Sequence, residues 1–385
     1  MPRVLFVDQF AAMGGGQRIL LDTVLYFKSQ GARCAVALPE KGPFSKLLVE
    51  NDIPVLFFDL PELTAGRKTL LDQFRYLPAV GAVRNQIQSL AEQWHAEILF
   101  CNGPRCTLPV VLAAQKLHLP VISAVHLIFG GKEKAILYWC FNRDCVKAIT
   151  FCSEAAAKPF QDLPHAKTTL VGNWVSPDFV SEPIVNDARH RFGLAAGQTA
   201  VGVVGRISIH KGQRVLIEAM MPIIEDRPDV VLLIAGASDF EDEWEYTDLQ
   251  NYVKEMGLTK SIRFLGSVED PISLMDALDI LVVPSLWEEP FGLVAVEGMA
   301  RGLPVVATRS GGLVDIVADG ETGILVSKSP EALKMAIERL LDDVRMRDQM
   351  GVMGRVRVME VFSSEPKLKK ILELARTWTR KQRAA

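Results

Sequence analysis

At 385 residues the chain is too long for one ordinary hydrophobic core and suits two domains of about 200 residues each. Hydrophobic residues at 49% and charged residues at 23% are ordinary for a well-buried globular protein and exclude a disordered or low-complexity chain. A net charge of −3, with only a slight basic excess in the first half, excludes a nucleic-acid-binding stripe but leaves room for a locally basic N-terminal face.

The opening Met1-Pro2-Arg3-Val4-Leu5-Phe6-Val7 is apolar for too few residues to be a signal peptide, and no later run approaches a membrane span. A cytoplasmic protein is expected. Cys34, Cys101, Cys106, Cys140, Cys145 and Cys152 all lie in the first half without the spacing of a disulfide framework, so reduced thiols are expected. The two Cys-x4-Cys pairs are wider than usual for zinc, and neither a metal nor a cofactor is predicted.

Short β-rich runs at Val4–Asp8, Cys34–Leu38, Val55–Phe58, Ile98–Cys101, Pro120–His126, Ala148–Cys152 and Thr168–Val171 alternate with longer helical stretches. This is the rhythm of a parallel sheet covered by helices. After Gly172–Pro183 it restarts with Val201–Val204, Val230–Ala235, Ile262–Leu265, Ile280–Val283, Pro304–Thr308 and Gly323–Val326. The pattern predicts one domain over 1–184 and a second over 185–363. The closing segment has Leu368, Ile371, Leu372, Leu374, Ala375 and Trp378 at helical spacing, an amphipathic helix with no further strand to serve. Ligands of open parallel sheets bind beyond the carboxyl ends of the strands, so the informative loops are those that leave strand ends.

The first strand leads through Gly14-Gly15-Gly16-Gln17-Arg18 into a helix, a loop that lets a ligand approach backbone N–H groups. The spacing is neither that of a dinucleotide fingerprint nor that of an NTPase phosphate loop. In the second half, Val201–Val204 ends in Gly205-Arg206, and Lys211-Gly212 follows before a helix from about Gln213. Two cations at one strand end suit a diphosphate and would stabilise charge on a departing nucleoside diphosphate.

Val282-Val283-Pro284-Ser285 closes a later strand, and Glu288-Glu289-Pro290-Phe291-Gly292-Leu293 precedes a helix with Val294, Val296, Glu297 and Met299. Glu289 is expected in the loop and Glu297 about two turns into the helix, both available to a ligand. A carboxylate on a largely apolar helix face is costly to bury without partners, and ribose hydroxyls would supply them. Ser310-Gly311-Gly312 forms another glycine loop beside the same strand ends.

The first glycine run, Val204-Gly205-Arg206-Ile207 with His210-Lys211-Gly212, and Glu289-Pro290-Phe291-Gly292 through Glu297 resemble family 4 of the retaining glycosyltransferases, over nearly the whole chain. The resemblance implies the α/β GT-B fold of two facing Rossmann-like domains with a cleft between them. It also implies that the C-terminal helix, 364–385, crosses back onto the first domain. By match to the motifs, Arg206 and Lys211 would bind the donor diphosphate, Glu297 the ribose and Glu289 the donor sugar. The base would stack near Gly266-Ser267-Val268, and His126, after Ser123-Ala124-Val125, would touch the transferred sugar. Phe291, Gly292, Leu293, Gly311 and Gly312 would line the donor site, and Gly15, Gly16 and Arg18 the acceptor side.

The expected reaction moves a hexosyl unit from UDP-hexose or GDP-mannose to a glycan, lipid-linked or small-molecule acceptor without a metal, drawn as a same-face displacement. A sugar-nucleotide epimerase and a non-catalytic nucleotide-sugar-binding protein are the alternatives. The segment Leu127–Phe141 interleaves Leu127, Ile128, Phe129, Ile136, Leu137, Tyr138, Trp139 and Phe141 with Lys132, Lys134 and, just beyond, Arg143. It would either meet an amphipathic acceptor or the inner membrane face, or pack into the core through Trp139 and Phe141.

Overall fold

The computed structural model describes all residues except 62–69, 183–184, 239–242 and 385. The chain divides into two compact units, Met1–Asn173 with Ser364–Ala385 and Trp174–Ser363, and each is described by itself.

The first unit is built on a seven-stranded parallel sheet. Its strands are β1 (Arg3–Val7), β2 (Arg33–Leu38), β3 (Val55–Phe57), β4 (Ile98–Cys101), β5 (Val121–Val125), β6 (Val146–Phe151) and β7 (Thr168–Leu170), in the order β3-β2-β1-β4-β5-β6-β7. The central strands β1, β2 and β4 are almost entirely buried, as near-continuous apolar runs require when helices cover both faces. The edge strands β3 and β7 are short and partly exposed, which limits unwanted pairing. Phe6 anchors one layer, its ring centroid 5.6 Å from Phe27 and 5.1 Å from Phe100. The helix Gly15–Ser29 buries Ile19, Leu20, Thr23, Val24 and Phe27, the one-sided stripe its spacing dictates.

The second unit carries a six-stranded parallel sheet of β8 (Thr199–Val204), β9 (Val230–Ala235), β10 (Ile262–Gly266), β11 (Ile280–Val283), β12 (Val305–Thr308) and β13 (Gly323–Val326), ordered β10-β9-β8-β11-β12-β13. Every strand read from the sequence is present, within two residues at each end. The strand order reverses between β1 and β4 in one sheet and between β8 and β11 in the other, which makes those two places the topological switch points.

The division by packing falls at Trp174, earlier than the restart of the strand rhythm near 185; the boundary read from sequence, between 184 and 185, adjoins residues outside the described ones. The segment belongs to the second unit because its contacts are there. Trp174 and Phe179 are buried, and Val175 N–H donates to Phe362 O at 3.0 Å. Arg301 is buried and ion-paired to Asp276 (2.7 Å), and it donates to the carbonyls of Phe179 and Ser181. The helix Ser364–Ala384 belongs to the first unit. It buries Leu368, Ile371, Leu372 and Ala375, and Lys367 Nζ donates to Asn173 O at 2.9 Å. No described helix is long and apolar enough to cross a membrane.

Candidate functional site

Both switch points carry the polar groups that the strand ends lead one to expect, and each has a distinct character. In the second unit, β8 ends at Val204 and the chain turns through Gly205 and Arg206 to a short 3-10 turn, Ile209–Lys211. Gly212 then takes φ +73, where a Cβ would lie 2.1 Å from Pro284 O, so only glycine lets the turn approach the end of β11 this closely. That approach delivers Lys211 onto Glu289. Lys211 Nζ lies 3.0 and 2.8 Å from the two carboxylate oxygens, with the Lys211 and Glu289 side chains only 25% and 11% exposed.

Glu289 is held from several sides. Ser285 Oγ donates to Oε2 at 2.9 Å and Trp287 Nε1 at 3.4 Å, while Gly312 N–H donates to the Glu289 carbonyl at 2.7 Å. The Trp287 indole stacks on His210, with centroids 5.3 Å apart and planes at 16°, and lies 5.9 Å from Lys211 Nζ. Ser285, Trp287 and His210 carry no role in the sequence reading. Their signal was adjacency to Glu289 and Lys211, which becomes contact only when β8 and β11 lie side by side.

Other expected residues fall at the same strand ends. Arg206 is exposed, and its carbonyl accepts a hydrogen bond from Gln213 Nε2 at 2.9 Å. Gly311, at φ +50, and Gly312 pack against the main chain of residues 289–291. Gly292, at φ +108, caps the helix Leu293–Ala300, whose first residue, Leu293, is partly buried. One reading is corrected: Glu297 is the fifth residue of that helix, little more than one turn in rather than two, and is partly exposed. The Phe291 ring is buried edge-to-face on Phe362 (5.9 Å, 76°). Val268 is partly buried in the loop after β10.

In the first unit the switch point holds a chain of polar side chains in which the sequence reading gave a role to His126 but none to Asp8 or Asn102. Asp8 follows β1 and is fully buried; Asn102 follows β4, its N–H bonded to Val7 O at 2.9 Å. Asn102 Nδ2 donates to Asp8 at 2.5 Å, and Asn102 Oδ1 lies 2.9 Å from His126 Nε2. Gly15 and Gly16 open the adjoining helix, and the close approach of Gly16 is visible in the 3.9 Å that would separate its Cβ from His126 Cδ2. Arg18 N–H closes the first helical turn on Gly14 O at 3.0 Å. Phe10, Gly16, Gln17, Asn102, Ser123 and His126 are among the residues lining a cavity of about 200 Å³ here.

Burial pushes the His126 pKa down from 6.5 to about 4, with the neighbouring Asn173 side chain acting the other way. The folded state therefore binds this proton less readily than the unfolded chain. Its contribution to stability is complete above pH 6.5 and is lost as pH falls toward 4. Asp8 is shifted upward by burial and acts in the opposite sense, so comparison with a variant isolates the histidine. Urea melts are expected to show wild-type stability falling between pH 6.5 and 4, with a shallower fall in His126→Gln.

The helix Gly131–Phe141 divides the two expectations for Leu127–Phe141. Leu137, Cys140 and Phe141 enter the core, whereas Ile136 and Trp139 are each 43% exposed and Arg143 stacks over Trp139 at 4.0 Å. Phe141 therefore serves the core and Trp139 does not. The cysteines are free, and among the described residues no group of three His, Cys, Asp or Glu is placed to hold a metal ion.

The family model for glycosyl transferases group 1 matches residues 185–357, and that for glycosyltransferase family 4 matches residues 13–179. The chain belongs to glycosyltransferase family 4. A D-inositol 3-phosphate glycosyltransferase of Corynebacterium urealyticum is 35% identical over 202 residues, 51% of this chain and 47% of that relative. A glycosyltransferase of Methanocaldococcus jannaschii is 29% identical over 271 residues, 67% of this chain and 66% of that one. The chain thus matches about half or less of the length of the inositol-phosphate relatives.

Among solved structures, Anabaena Alr3699/HepE in complex with UDP-glucose superposes with a TM-score of 0.83 at 23% identity, covering 98% of this chain and all of that one. Sucrose-phosphate synthase from Thermosynechococcus elongatus gives 0.78 at 22% identity, covering 98% and 99%. These likenesses establish the fold: this family 4 member has the two-domain α/β fold of GT-B glycosyltransferases.

Proposed function

We propose that this family 4 protein is a retaining glycosyltransferase that moves a hexosyl unit from a nucleoside-diphosphate sugar to a hydroxyl acceptor without a metal ion. The observation that carries the reading is the Lys211–Glu289 pair at the β8/β11 switch point, with Arg206 on the same strand-end loop. A lysine held on a carboxylate is fixed in place before any ligand arrives, and a fixed cation at a strand end is suited to a departing diphosphate. Glu289, held by Lys211 and Ser285, keeps acceptor capacity for sugar hydroxyls. Glu297 and the Val268 loop are assigned to the ribose and the base.

UDP-hexose is favoured over GDP-mannose as donor, because the Anabaena protein of the same fold is described in complexes with UDP, UDP-glucose, and UDP with glucose. The acceptor is assigned to the first unit, where the cavity beside His126 and Gly16 offers hydrogen-bonding groups. The inositol-phosphate relatives support a phosphorylated polyol among the acceptors to be tried first. The exposed Ile136 and Trp139 beside Lys132, Lys134 and Arg143 support contact with a lipid-linked acceptor or an anionic membrane surface.

A screen of donor hydrolysis and transfer across UDP- and GDP-sugars tests the proposal. Turnover is expected to persist in excess EDTA, and an α-linked donor is expected to give an α-linked product by NMR. A strict requirement for manganese or magnesium, or a β-linked product, would overturn the mechanism. Epimerised sugar nucleotide without transfer would favour the epimerase reading, and tight UDP binding without turnover of any donor would favour a binding protein.

A further inference from the structure

We propose that Asp8 and Asn102 are positioning residues that fix the proton of His126 on Nε2 and leave Nδ1 as an acceptor for a ligand hydroxyl in the first-unit cavity. The ligand's identity rests on the glycosyltransferase reading above; the location of the proton rests on geometry alone.

Asp8 is fully buried, and the side chain accepts from Phe10 N–H at 2.8 Å, Gln17 Nε2 at 3.0 and 3.2 Å, and Asn102 Nδ2 at 2.5 Å, each of them a donor. A protonated acid would need an acceptor for its own hydrogen, so this environment calls for a carboxylate. Burial raises the Asp8 pKa, and the bonds from Asn102, Phe10 and Gln17 act against that rise.

The carboxylate then dictates how the Asn102 amide is turned. Its Nδ2 reaches Asp8 and, at 3.3 Å, the carbonyl of Gly16. Turning the amide over would place Oδ1 against two acceptors at once, which is costly in a buried site. Oδ1 therefore faces His126 Nε2 at 2.9 Å. An amide oxygen can only accept, so Nε2 must carry the hydrogen, and the other ring nitrogen of a neutral imidazole is a lone pair.

Nδ1 is buried without a well-formed hydrogen bond, although the Asn173 side chain lies close enough to act on the ring. A buried acceptor in that state is unfavourable until a donor reaches it, and a ligand hydroxyl is such a donor. The intervening amide has a further consequence. A carboxylate bonded directly to an imidazole favours the imidazolium, whereas Asn102 passes on orientation without charge, so the ring stays a neutral acceptor.

The test is nitrogen NMR of the full chain labelled with 15N-histidine, with the His126 signals among the six histidines assigned by comparison with His126→Gln. At pH 7 the wild type is expected to show a protonated Nε2 and an unprotonated Nδ1. A proton on Nδ1, or a doubly protonated ring, overturns the proposal with no variant needed. In Asp8→Asn the amide at position 8 can itself donate or accept, so Asn102 is no longer held one way round. The single tautomer is expected to be lost while the other five histidine signals stay in place, and transfer to fall about tenfold or more. An unchanged His126 tautomer in a folded Asp8→Asn would remove Asp8 from the arrangement. If the tautomer is as expected but no sugar nucleotide is turned over, the functional reading fails and the assignment of the proton stands.

Discussion

Lys211→Ala is expected to lower kcat/KM for the donor by about thirtyfold or more, because truncating one partner of a largely buried, hydrogen-bonded charge pair costs about 2–5 kcal/mol. Two losses combine in this variant. The diphosphate loses its fixed cation, and Glu289, only 8% exposed, is left with Ser285 and Trp287 as its remaining side-chain donors. Arg206→Ala is expected nearer tenfold, since Arg206 is exposed and a charge-assisted hydrogen bond is worth about 1.5–3 kcal/mol.

The pair makes a further demand on the kinetics. If Lys211 and Glu289 act as a unit, Lys211→Ala combined with Glu289→Gln should fall short of the sum of the single effects by about 0.5–3 kcal/mol. Steady-state kinetics with UDP-hexose measures this. Additive effects, or a Lys211→Ala enzyme within twofold of wild type, would show that the ion pair has no part in donor use.

Gly311→Ala is expected to damage both stability and donor use. At φ +50 an alanine there is strained, and its Cβ would lie 2.1 Å from Glu289 O and 2.7 Å from Glu289 N. Those are backbone atoms that cannot rotate away, and the same turn carries the bonds from Gly311 N–H to Glu288 and from Gly312 N–H to Glu289 O. The loop must open, and Glu289 moves with it. Donor use is expected to fall by about a hundredfold or more, as misplacement by an ångström can bring. Stability is expected to fall by about 2–4 kcal/mol, which lowers Tm by roughly 4–16 °C for a unit of this size. Gly320→Ala is the control: φ is +81, but nothing lies within 4 Å of its Cβ, so only the left-handed backbone strain of about 1–2 kcal/mol applies and activity should persist. Calorimetry and donor kinetics on the two variants separate steric displacement from strain. Equal behaviour of both would mean that the contact with Glu289 is unimportant.

The sequence by itself determined the secondary structure, because parallel strands covered on both faces must be continuous apolar runs such as Val230–Ala235, and turns at strand ends must carry glycine and polar residues. It also determined that a basic and an acidic group stand on separate strand-end loops, at Lys211 and Glu289, since both lie in motifs that read locally. Tertiary structure decided what those groups do to each other. Residues 78 apart in sequence become a 2.8 Å ion pair only because the sheet order places β8 next to β11, and no local pattern encodes strand order.

The same reason hid the Asp8–Asn102–His126 chain. Each residue alone is an ordinary polar strand end, and 94 residues separate Asp8 from Asn102. Burial likewise was decided by packing. Phe291 sits inside a ligand-like motif yet packs on Phe362, and Trp139 lies on the surface where its size suggested the core. Trp174–Ser181 joins the second unit ahead of its first strand because Arg301, far along the chain, holds the carbonyls of Phe179 and Ser181.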